Sequence, residues 1–495
     1  MFRDKKLALN TALLTASGLA MRFVGMVWQV WLAGRIGEAG IGLFQLVVSV
    51  SALAATVAVS GIRYTTTRLV SEETGLGRPS GAAQALAVCM LYGLFFGLAA
   101  GLVLMLLAEP LGFLWLEDAR TVRPLMLLAL EMPLIGITSV MYGYFTAVGR
   151  VWKGVVISVL QQLVTILVTA ILLMRCPQGN LEYACLSITA GQLAGAGFEA
   201  LTLTVIYLTD KLQHGIRRSG STVSLSIMTN RMLAIALPLA AAAYARSGFS
   251  TLQHLLVPKG LRASGLASQA ALAGYGVIQG MALPAVLFPS CVMLAVAELI
   301  VPTLTEKQVQ HNTEEIRLTT ESILEKGLMF SALTAALFLA LGKKLGLALY
   351  DSQSAGLYIQ IFAFIIPIMY LDMLADGCLK GLGEMMFCMY VNIADAALSA
   401  LLVWLLLPRW GLPAYIFVIC FTEGFNFLFS VLRLRKVVGL SFSTERIAKI
   451  LAFSAAAGFA ARFVSQAISA GTEVPALILS AIAGIFVFFC GDYQP

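Results

Sequence analysis

Long apolar segments follow one another along the whole chain, separated by short polar connections. Most are about 20 residues long or longer, the length an α-helix needs to cross the hydrocarbon core of a bilayer. Soluble core helices rarely stay apolar for so long, and barrel strands are shorter. We therefore predict an all-α polytopic membrane protein with about fourteen transmembrane helices, at residues 7–33, 41–69, 82–108, 121–147, 153–174, 181–208, 230–257, 270–300, 320–342, 357–379, 387–407, 412–432, 447–468 and 474–490.

The chain also contains an internal repeat. Arg22 and Gln29 of the first span recur as Arg246 and Gln253 of the seventh, with the same spacing within each pair. From the second span onwards a slightly larger offset holds, which relates Gly149 to Gly383 and which we call the repeat offset. The extra residues fall in the loop near 258–268. Each repeat holds six spans, an even number, so we predict two parallel six-helix lobes related by an axis along the membrane normal.

The repeat sets the predicted domain limits. The N-lobe covers residues 1–210, a cytoplasmic linker covers 211–229, and the C-lobe covers 230–440. The last two spans have no counterpart in the repeat and form an appended hairpin at 441–495. Two like-oriented lobes flanking a central cleft suit a transporter that exposes its substrate to each side of the membrane in turn.

Composition supports the membrane assignment and sets the orientation. The chain is 59% hydrophobic and 12% charged, against about 25% charged in soluble proteins. The net charge of +7 arises from Lys and Arg in short loops, so we expect no nucleic-acid partner. These cations are about twice as frequent on the side of the N-terminus. The positive-inside rule then predicts a bacterial cytoplasmic-membrane protein with both termini in the cytoplasm.

Two arginines inside spans are the sharpest functional signal. A guanidinium is costly at membrane depth unless it faces protein or a water-filled cavity. The repeat places Arg22 and Arg246 at equivalent positions, so we predict that both face the cleft and bind a diphosphate or another polyanion, which matches the guanidinium fork. The alternative is that each pairs with a buried carboxylate in its own half, for which the candidates are Glu131, Glu199, Asp372 and Glu423.

Other polar residues extend the predicted cavity. Its candidate substrate-binding residues are Arg22, Gln29, Arg63, Arg68, Arg246 and Gln253. Arg63 and Arg68 end the second span and would add cations near the inner mouth, although each is also typical of an interfacial anchor. We predict no catalytic residue and no metal site, and the eight cysteines form no CxxC motif or Cys/His cluster.

The second half carries most of the carboxylates inside spans. The candidates for ion coupling are Asn392, Asp395, Glu423 and Asn426. Asn392 and Asp395 are three positions apart and share a helix face. Such oxygens would bind Na⁺ or carry H⁺ and so couple transport to a gradient; the alternative is a local hydrogen-bond network. No other cofactor is expected.

Several segments resemble a known family. RIGEAGIGLFQL, VAVSGIRYTTTRLVSE, LQHLLVPKGL and AGYGVIQGMALPAVLFPS, together with LIVPTLTE, resemble the stage V sporulation protein B family. These are polysaccharide-biosynthesis transporters of the multidrug/oligosaccharidyl-lipid/polysaccharide (MOP) exporter superfamily, which includes the lipid II flippases. Where relatives often have Gly-Ile-Pro at the end of span 2, this chain has GIR at 61–63, a departure that adds a cation and removes the residue expected to bend the chain there.

The resemblance implies a two-lobe fold like that of the lipid II flippases, with two extra helices that form a groove for a lipid tail. It implies a non-enzymatic flippase for a polyprenyl-diphosphate-linked saccharide of peptidoglycan or polysaccharide synthesis, working with membrane lipids in the cell wall or in sporulation. We expect it to act as a monomer. The alternatives are a cation-coupled multidrug antiporter of the same superfamily and a membrane glycosyl polymerase or ligase, whose acid and base residues would need an outer loop larger than any seen here.

Overall fold

The computed structural model describes residues 2–175, 180–214, 224–310, 312–441, 444–467 and 474–492. Within these ranges the chain forms helices and no β-strand. The helices are α1 (Phe2–Val59), α2 (Ile62–Gly75), α3 (Pro79–Pro110), α4 (Val122–Ala129), α5 (Met132–Ala147), α6 (Val151–Met174), α7 (Leu181–His214), α8 (Leu225–Ala263), α9 (Ser268–Gly276), α10 (Leu283–Leu287), α11 (Ser290–Val309), α12 (Thr313–Tyr350), α13 (Gln353–Ala363), α14 (Ile366–Gly381), α15 (Met385–Trp410), α16 (Leu412–Val438), α17 (Thr444–Ala467) and α18 (Val474–Asp492).

The predicted spans fall on these helices, and the predicted fold class is confirmed. In the described part of the chain, nine helices are long and apolar enough to cross a membrane, and two bent pairs bring that number to eleven. The longest such segment, Ala20–Gly75, holds part of the predicted span 7–33 and all of the predicted span 41–69. It is interrupted at Gly37, whose φ of 72° and ψ of 177° are not helical. The predicted number of about fourteen is consistent with this arrangement.

Prolines determine two of the bends. Proline lacks a backbone N–H and clashes with the carbonyl four residues earlier, so a helix ends or kinks just before it. α4 and α5 meet at 42° ahead of Pro133, and α13 and α14 meet at 59° ahead of Pro367. The repeat offset relates these two prolines, so the same broken span occurs in both halves.

The chain also bends before GIR, without a proline. Ser60 and Gly61 have φ values of 45° and 71°, which place them in the left-handed region that glycine tolerates best. A Cβ on Gly61 would lie 3.0 Å from the carbonyl oxygen of Ala236. The left-handed backbone of Ser60 and Gly61 and the close approach of α8 therefore form this bend.

The internal repeat is visible in the helix limits. The repeat offset carries both ends of α5 onto both ends of α14, and it carries the start of α3 onto the start of α12. The aligned glycines that follow α5 and α14, Gly149 and Gly383, both have positive φ, at 70° and 78°. The two halves therefore share helix order and turn geometry.

Packing divides the chain into two compact units. Unit 1 comprises the described residues within 1–21 and 43–259, and unit 2 those within 22–42 and 260–495. In unit 1, helix α8 contributes Met228, Met232 and Ala236 to a buried core that includes Ile62 of α2 and Cys89 of α3. These units cut across the lobe limits at 210 and 230, which were drawn from the repeat rather than from packing. The lobe limits therefore stay a prediction.

Close glycine contacts build unit 2, as is common between membrane helices. A Cβ on Gly42 of α1 would lie 2.1 Å from the carbonyl oxygen of Leu272 in α9, and one on Gly276 would lie 2.2 Å from that of Glu38. The appended hairpin α17–α18 belongs to this unit. Ala457 and Phe488 pack with Leu333 of α12.

Candidate functional site

The two arginines predicted to bind the substrate are both exposed. Arg22 lies on α1 in unit 2, and Arg246 lies on α8 in unit 1. Neither makes a hydrogen bond or an ion pair with any residue that the structure describes. Each guanidinium is therefore open to a ligand. That the two arginines face each other stays a prediction.

The glutamines that follow the arginines are half-buried. The Gln29 side chain donates a hydrogen bond from Nε2 to the carbonyl oxygen of Gly280, at 2.8 Å. Gly280 lies in a π-helical segment, Val277–Ala282, between α9 and α10. Such segments are frequent at functional sites, but here the amide is already engaged with the backbone. Direct substrate contact by Gln29 or Gln253 stays a prediction.

Hydrogen bonds join α8 to the second part of α1 within unit 1, and we call this line of contacts along α8 the seam. Thr251 donates to the carbonyl oxygen of Ser49, at 3.0 Å, and Thr56 donates to Ser247, at 3.1 Å. At the bend, the Ser60 hydroxyl is hydrogen-bonded to the hydroxyl of Tyr244. Arg246 lies on the helix that this seam holds. Local patterns do not predict the seam, because its partners lie in two segments far apart along the chain.

At the end of α2, ion pairs continue the same seam. Arg231 of α8 donates to Glu73, at 2.8 Å, and to Glu72, at 2.6 Å. Glu72 also accepts from Arg68, at 2.9 Å. Arg68 was predicted to extend the substrate cavity, and in this structure its side chain is paired with a neighbour on its own helix. The Glu73 side chain is fully buried, so Arg231 balances a charge that solvent does not reach.

Unit 2 gathers acidic residues from three neighbouring helices. Asp372 of α14 is 8% exposed and accepts a hydrogen bond from Asn426 Nδ2 of α16, at 3.1 Å. Glu423 of α16 and Asp395 of α15 lie within electrostatic range of Asp372. Asp395, Glu423 and Asn426 were predicted to couple an ion. The structure places Asp372 in the same cluster as these three residues.

Two findings bear on whether this acidic cluster binds an ion. The Asn392 amide donates to the carbonyl oxygen of Cys388 on its own helix, at 2.7 Å, so its donor serves local structure. In addition, no three His, Cys, Asp or Glu side chains of the described residues are arranged to hold a metal ion. The role of the cluster in ion coupling stays a prediction.

The first half has no charge at the equivalent positions. Through the repeat offset, Asp372, Asp395, Glu423 and Asn426 correspond to a neutral polar set, Thr138, Gln161, Thr189 and Gln192. The acidic cluster is therefore specific to the second half of the chain and does not follow from the fold alone.

Arg63 lines a cavity inside unit 1. The cavity has a volume of about 410 Å³ and is bounded by α1, α2, α5, α6 and α7. The Arg63 guanidinium carbon lies 5.0 Å above the ring of Tyr142, and the Tyr142 hydroxyl donates to a carboxylate oxygen of Glu199. Gly154 leaves room for that ring, because a Cβ there would lie 2.8 Å from it. The sequence analysis identified Arg63 as a candidate, but it did not predict the Arg63–Tyr142 contact or the Tyr142–Glu199 hydrogen bond.

Helical repeats, bent spans and charges inside spans together define a polytopic transporter-type membrane protein. The chain belongs to the polysaccharide biosynthesis protein family, whose model matches residues 7–308. A second family model, MatE, matches residues 260–405. The predicted resemblance to a polysaccharide-biosynthesis family is confirmed.

Known proteins resemble this chain in sequence or in fold over most of its length. Stage V sporulation protein B of Bacillus subtilis (strain 168) is 22% identical over 467 residues, which cover 94% of this chain and 90% of that protein. The structure of the lipid II flippase MurJ in an inward closed conformation has a TM-score of 0.74 at 12% identity, covering 97% and 98% of the two chains. An inward-facing MATE-family multidrug resistance transporter has a TM-score of 0.63 at 14% identity, covering 86% and 100%. At such identities the structural likeness establishes the fold alone.

Proposed function

We propose that the protein is a flippase that moves a polyprenyl-diphosphate-linked saccharide across the bacterial cytoplasmic membrane by alternating access. The proposal is supported by the family, by the fold shared with a lipid II flippase, and by the sporulation relative. Rocking of two repeat-related bundles would present the head group to each side, while the lipid tail stays in the bilayer. Membrane lipids and the lipid-linked saccharide are the expected partners, and no chemical step is required.

The observation that carries the proposal is that two arginines inside predicted spans are exposed and have no protein partner in the described part of the chain. Arg22 and Arg246 are exposed and unpaired within the described part of the chain. Neither arginine forms an ion pair with Glu199 or Asp372, two of the alternative partners, which accept hydrogen bonds from Tyr142 and Asn426 instead. A cation kept at membrane depth without a protein partner favours an anionic ligand, and a diphosphate offers oxygens to two guanidinium groups.

We assign the driving force to the acidic cluster of unit 2, with Na⁺ or H⁺ as the coupled ion. A charge moved across the membrane supplies about 2.3 kcal/mol per 100 mV. Asp372 and Asn426 each retain a buried oxygen atom without a hydrogen-bond partner in the described structure, so the cluster retains acceptor capacity.

The positive-inside bias of the loops supports placing both termini in the cytoplasm.

The second candidate is a cation-coupled multidrug antiporter. It is favoured by the same acidic cluster and by the fold shared with MATE transporters. A cavity for cationic drugs is expected to be dominated by carboxylates, whereas Arg22 and Arg246 add positive charge to the spans that carry them. Efflux of cationic dyes that is lost in a Glu423→Gln variant would favour the antiporter.

Complementation tests the choice between them. A bacterial strain depleted of its lipid II flippase should grow when it expresses this protein, and should fail to grow with the Arg22→Ala/Arg246→Ala variant at equal membrane levels. The matched control is Arg435→Ala, which removes an exposed cation near the end of α16 and should still support growth. Growth supported by the double variant would overturn the proposed role of the arginines. Dye efflux by the wild-type protein without any rescue of growth would overturn the proposal that it is a flippase.

A further inference from the structure

The cavity around Arg63 holds opposite charges that protein contacts leave partly unsatisfied. The Arg63 side chain makes no hydrogen bond or ion pair with the described residues, and its contact with Tyr142 is a cation–π contact, with the guanidinium carbon 5.0 Å from the ring centroid. The five donors of the guanidinium therefore stay available for an anion. Glu199 accepts one hydrogen bond from the Tyr142 hydroxyl, and a carboxylate has room for more.

The other cations beside the cavity are already paired with a carboxylate. Arg150 and Lys153 both pair with Asp210, at 2.8 and 2.7 Å. Lys153 also lies 5.9 Å from the ring of Phe145, which lines the cavity. Arg63 is thus the open cation among the described lining residues, and Glu199 is the carboxylate among them.

The equivalent positions of the second half show the contrast. Through the repeat offset, Arg63, Tyr142 and Glu199 correspond to Ala297, Asp376 and Arg433. There the charges are paired directly: Arg433 with Glu384, at 2.8 Å, and Asp376 with Lys380, at 3.3 Å. In the second half these charged side chains form ion pairs with other protein groups. In the first half Arg63 and Glu199 line a cavity without forming an ion pair.

The shape of the site points to a lipid rather than a soluble ligand. Beyond its charged residues the lining is largely apolar, with Met21, Val151, Val155 and Val159 among the walls. On α6, next to the cavity face, an exposed apolar stripe runs along the outside of the helix. Its members are Trp152, Val156, Leu160, Leu163 and Leu167, each at least 42% exposed. In a membrane protein such a stripe is covered by lipid tails.

We propose that this cavity binds the head group of a zwitterionic aminophospholipid, with the phosphate on Arg63, the ammonium on Glu199, and the tails along the outer face of α6. A purely anionic head group would place a negative charge near Glu199, and a purely cationic one would meet Arg63. A primary ammonium donates charge-assisted hydrogen bonds to a carboxylate such as Glu199. The site does not depend on what the protein transports.

Native mass spectrometry of the purified full-length protein tests the proposal, with phosphatidylethanolamine and phosphatidylglycerol titrated separately. The wild-type protein should bind phosphatidylethanolamine about tenfold more tightly, because one additional charge-assisted hydrogen bond is worth roughly that factor. Arg63→Ala should weaken the binding of both lipids about tenfold, by the same reasoning. Glu199→Gln should remove the preference by weakening phosphatidylethanolamine alone. Arg435→Ala, which removes an exposed cation in unit 2, should change neither.

Three outcomes would overturn the proposal. The first is equal binding of the two lipids by the wild-type protein. The second is a preference that survives Glu199→Gln. The third is competition by soluble glycerophosphoethanolamine at the concentration of the lipid, which would show that the tails contribute nothing. Arg63→Lys keeps the charge without the planar fork, and thermal unfolding of each variant separates lost binding from lost folding.

Discussion

Arg231 of α8 donates a hydrogen bond to Glu73 of α2, at 2.8 Å, and the Glu73 side chain is completely buried. A buried carboxylate is costly unless it is paired. The second oxygen of Glu73 has no hydrogen-bond partner in the described structure, so Arg231 is the group that makes this burial tolerable. Together with the hydrogen bonds of Ser60 and Thr251, this pair fastens α8 within unit 1.

We predict that Arg231→Met destabilises the protein by about 3–5 kcal/mol, the usual cost of leaving one buried charge of a pair. Unfolding in mixed micelles measures the change. The double variant Arg231→Met/Glu73→Gln should recover much of the loss, because it removes both charges. Additive losses in the double-mutant cycle would show that the two residues do not act as a pair.

Glycines at equivalent positions hold the α2–α5 and α11–α14 contacts. A Cβ on Gly143 would lie 2.6 Å from the carbonyl oxygen of Arg63, and one on Gly377 would lie 2.9 Å from that of Ala297. Both clashes involve backbone atoms, which do not move aside easily. Gly143→Ala should therefore destabilise the protein by about 1–3 kcal/mol.

The control for that substitution is Gly197→Ala, in an open part of α7 where nothing lies within 4 Å of the added Cβ. It should be neutral or slightly stabilising, since alanine is the better helix former. Thermal unfolding of the two variants in the same detergent gives the comparison. Equal transition temperatures would contradict the close-packing account.

The ion-coupling assignment makes its own prediction. Asp372→Asn should retain the hydrogen-bonded geometry with Asn426 approximately while removing the charge, so transport should lose its dependence on a Na⁺ or H⁺ gradient. Thr138→Ala is the matched control, because Thr138 holds the equivalent place in the first half and donates locally to Ile135. Transport by Asp372→Asn that still follows the gradient as in the wild type would rule out an essential role for this carboxylate.

Orientation is tested by reporter fusions. If both termini are cytoplasmic, a green fluorescent protein fused to the C-terminus should fluoresce, and alkaline phosphatase at the same place should be inactive. A fusion after Arg175, in the connection between α6 and α7, should show the opposite pattern. The reverse result would require an odd number of spans or an inverted insertion.

Much of the fold is readable from local sequence signals. Apolar length indicates the spans, Pro133 and Pro367 mark the two bent pairs, and the constant repeat offset reveals the two halves. Arg22, Arg246 and the acidic residues of the second half stand out because charges are rare inside spans. These features are encoded within a few turns of helix, so periodicity and composition detect them.

The rest depends on long-range packing. Assignment of residues 22–42 to unit 2 and of most of α8 to unit 1 rests on contacts between distant segments. The bend at Ser60 and Gly61 uses a left-handed backbone rather than a proline. The contact of Tyr142 with Glu199 joins side chains on two different helices. No local pattern specifies which polar side chains meet.

The most direct test of the central claim is translocation by the purified protein in proteoliposomes, with a fluorescent polyprenyl-diphosphate saccharide as substrate. Wild-type protein should move the lipid between leaflets. The Arg22→Ala/Arg246→Ala variant should be slowed about 100-fold or more, because two charge-assisted contacts of about 1.5–3 kcal/mol each are lost. Arg22→Lys/Arg246→Lys should retain part of the rate. Wild-type rates in the double alanine variant, folded and inserted, would contradict the account.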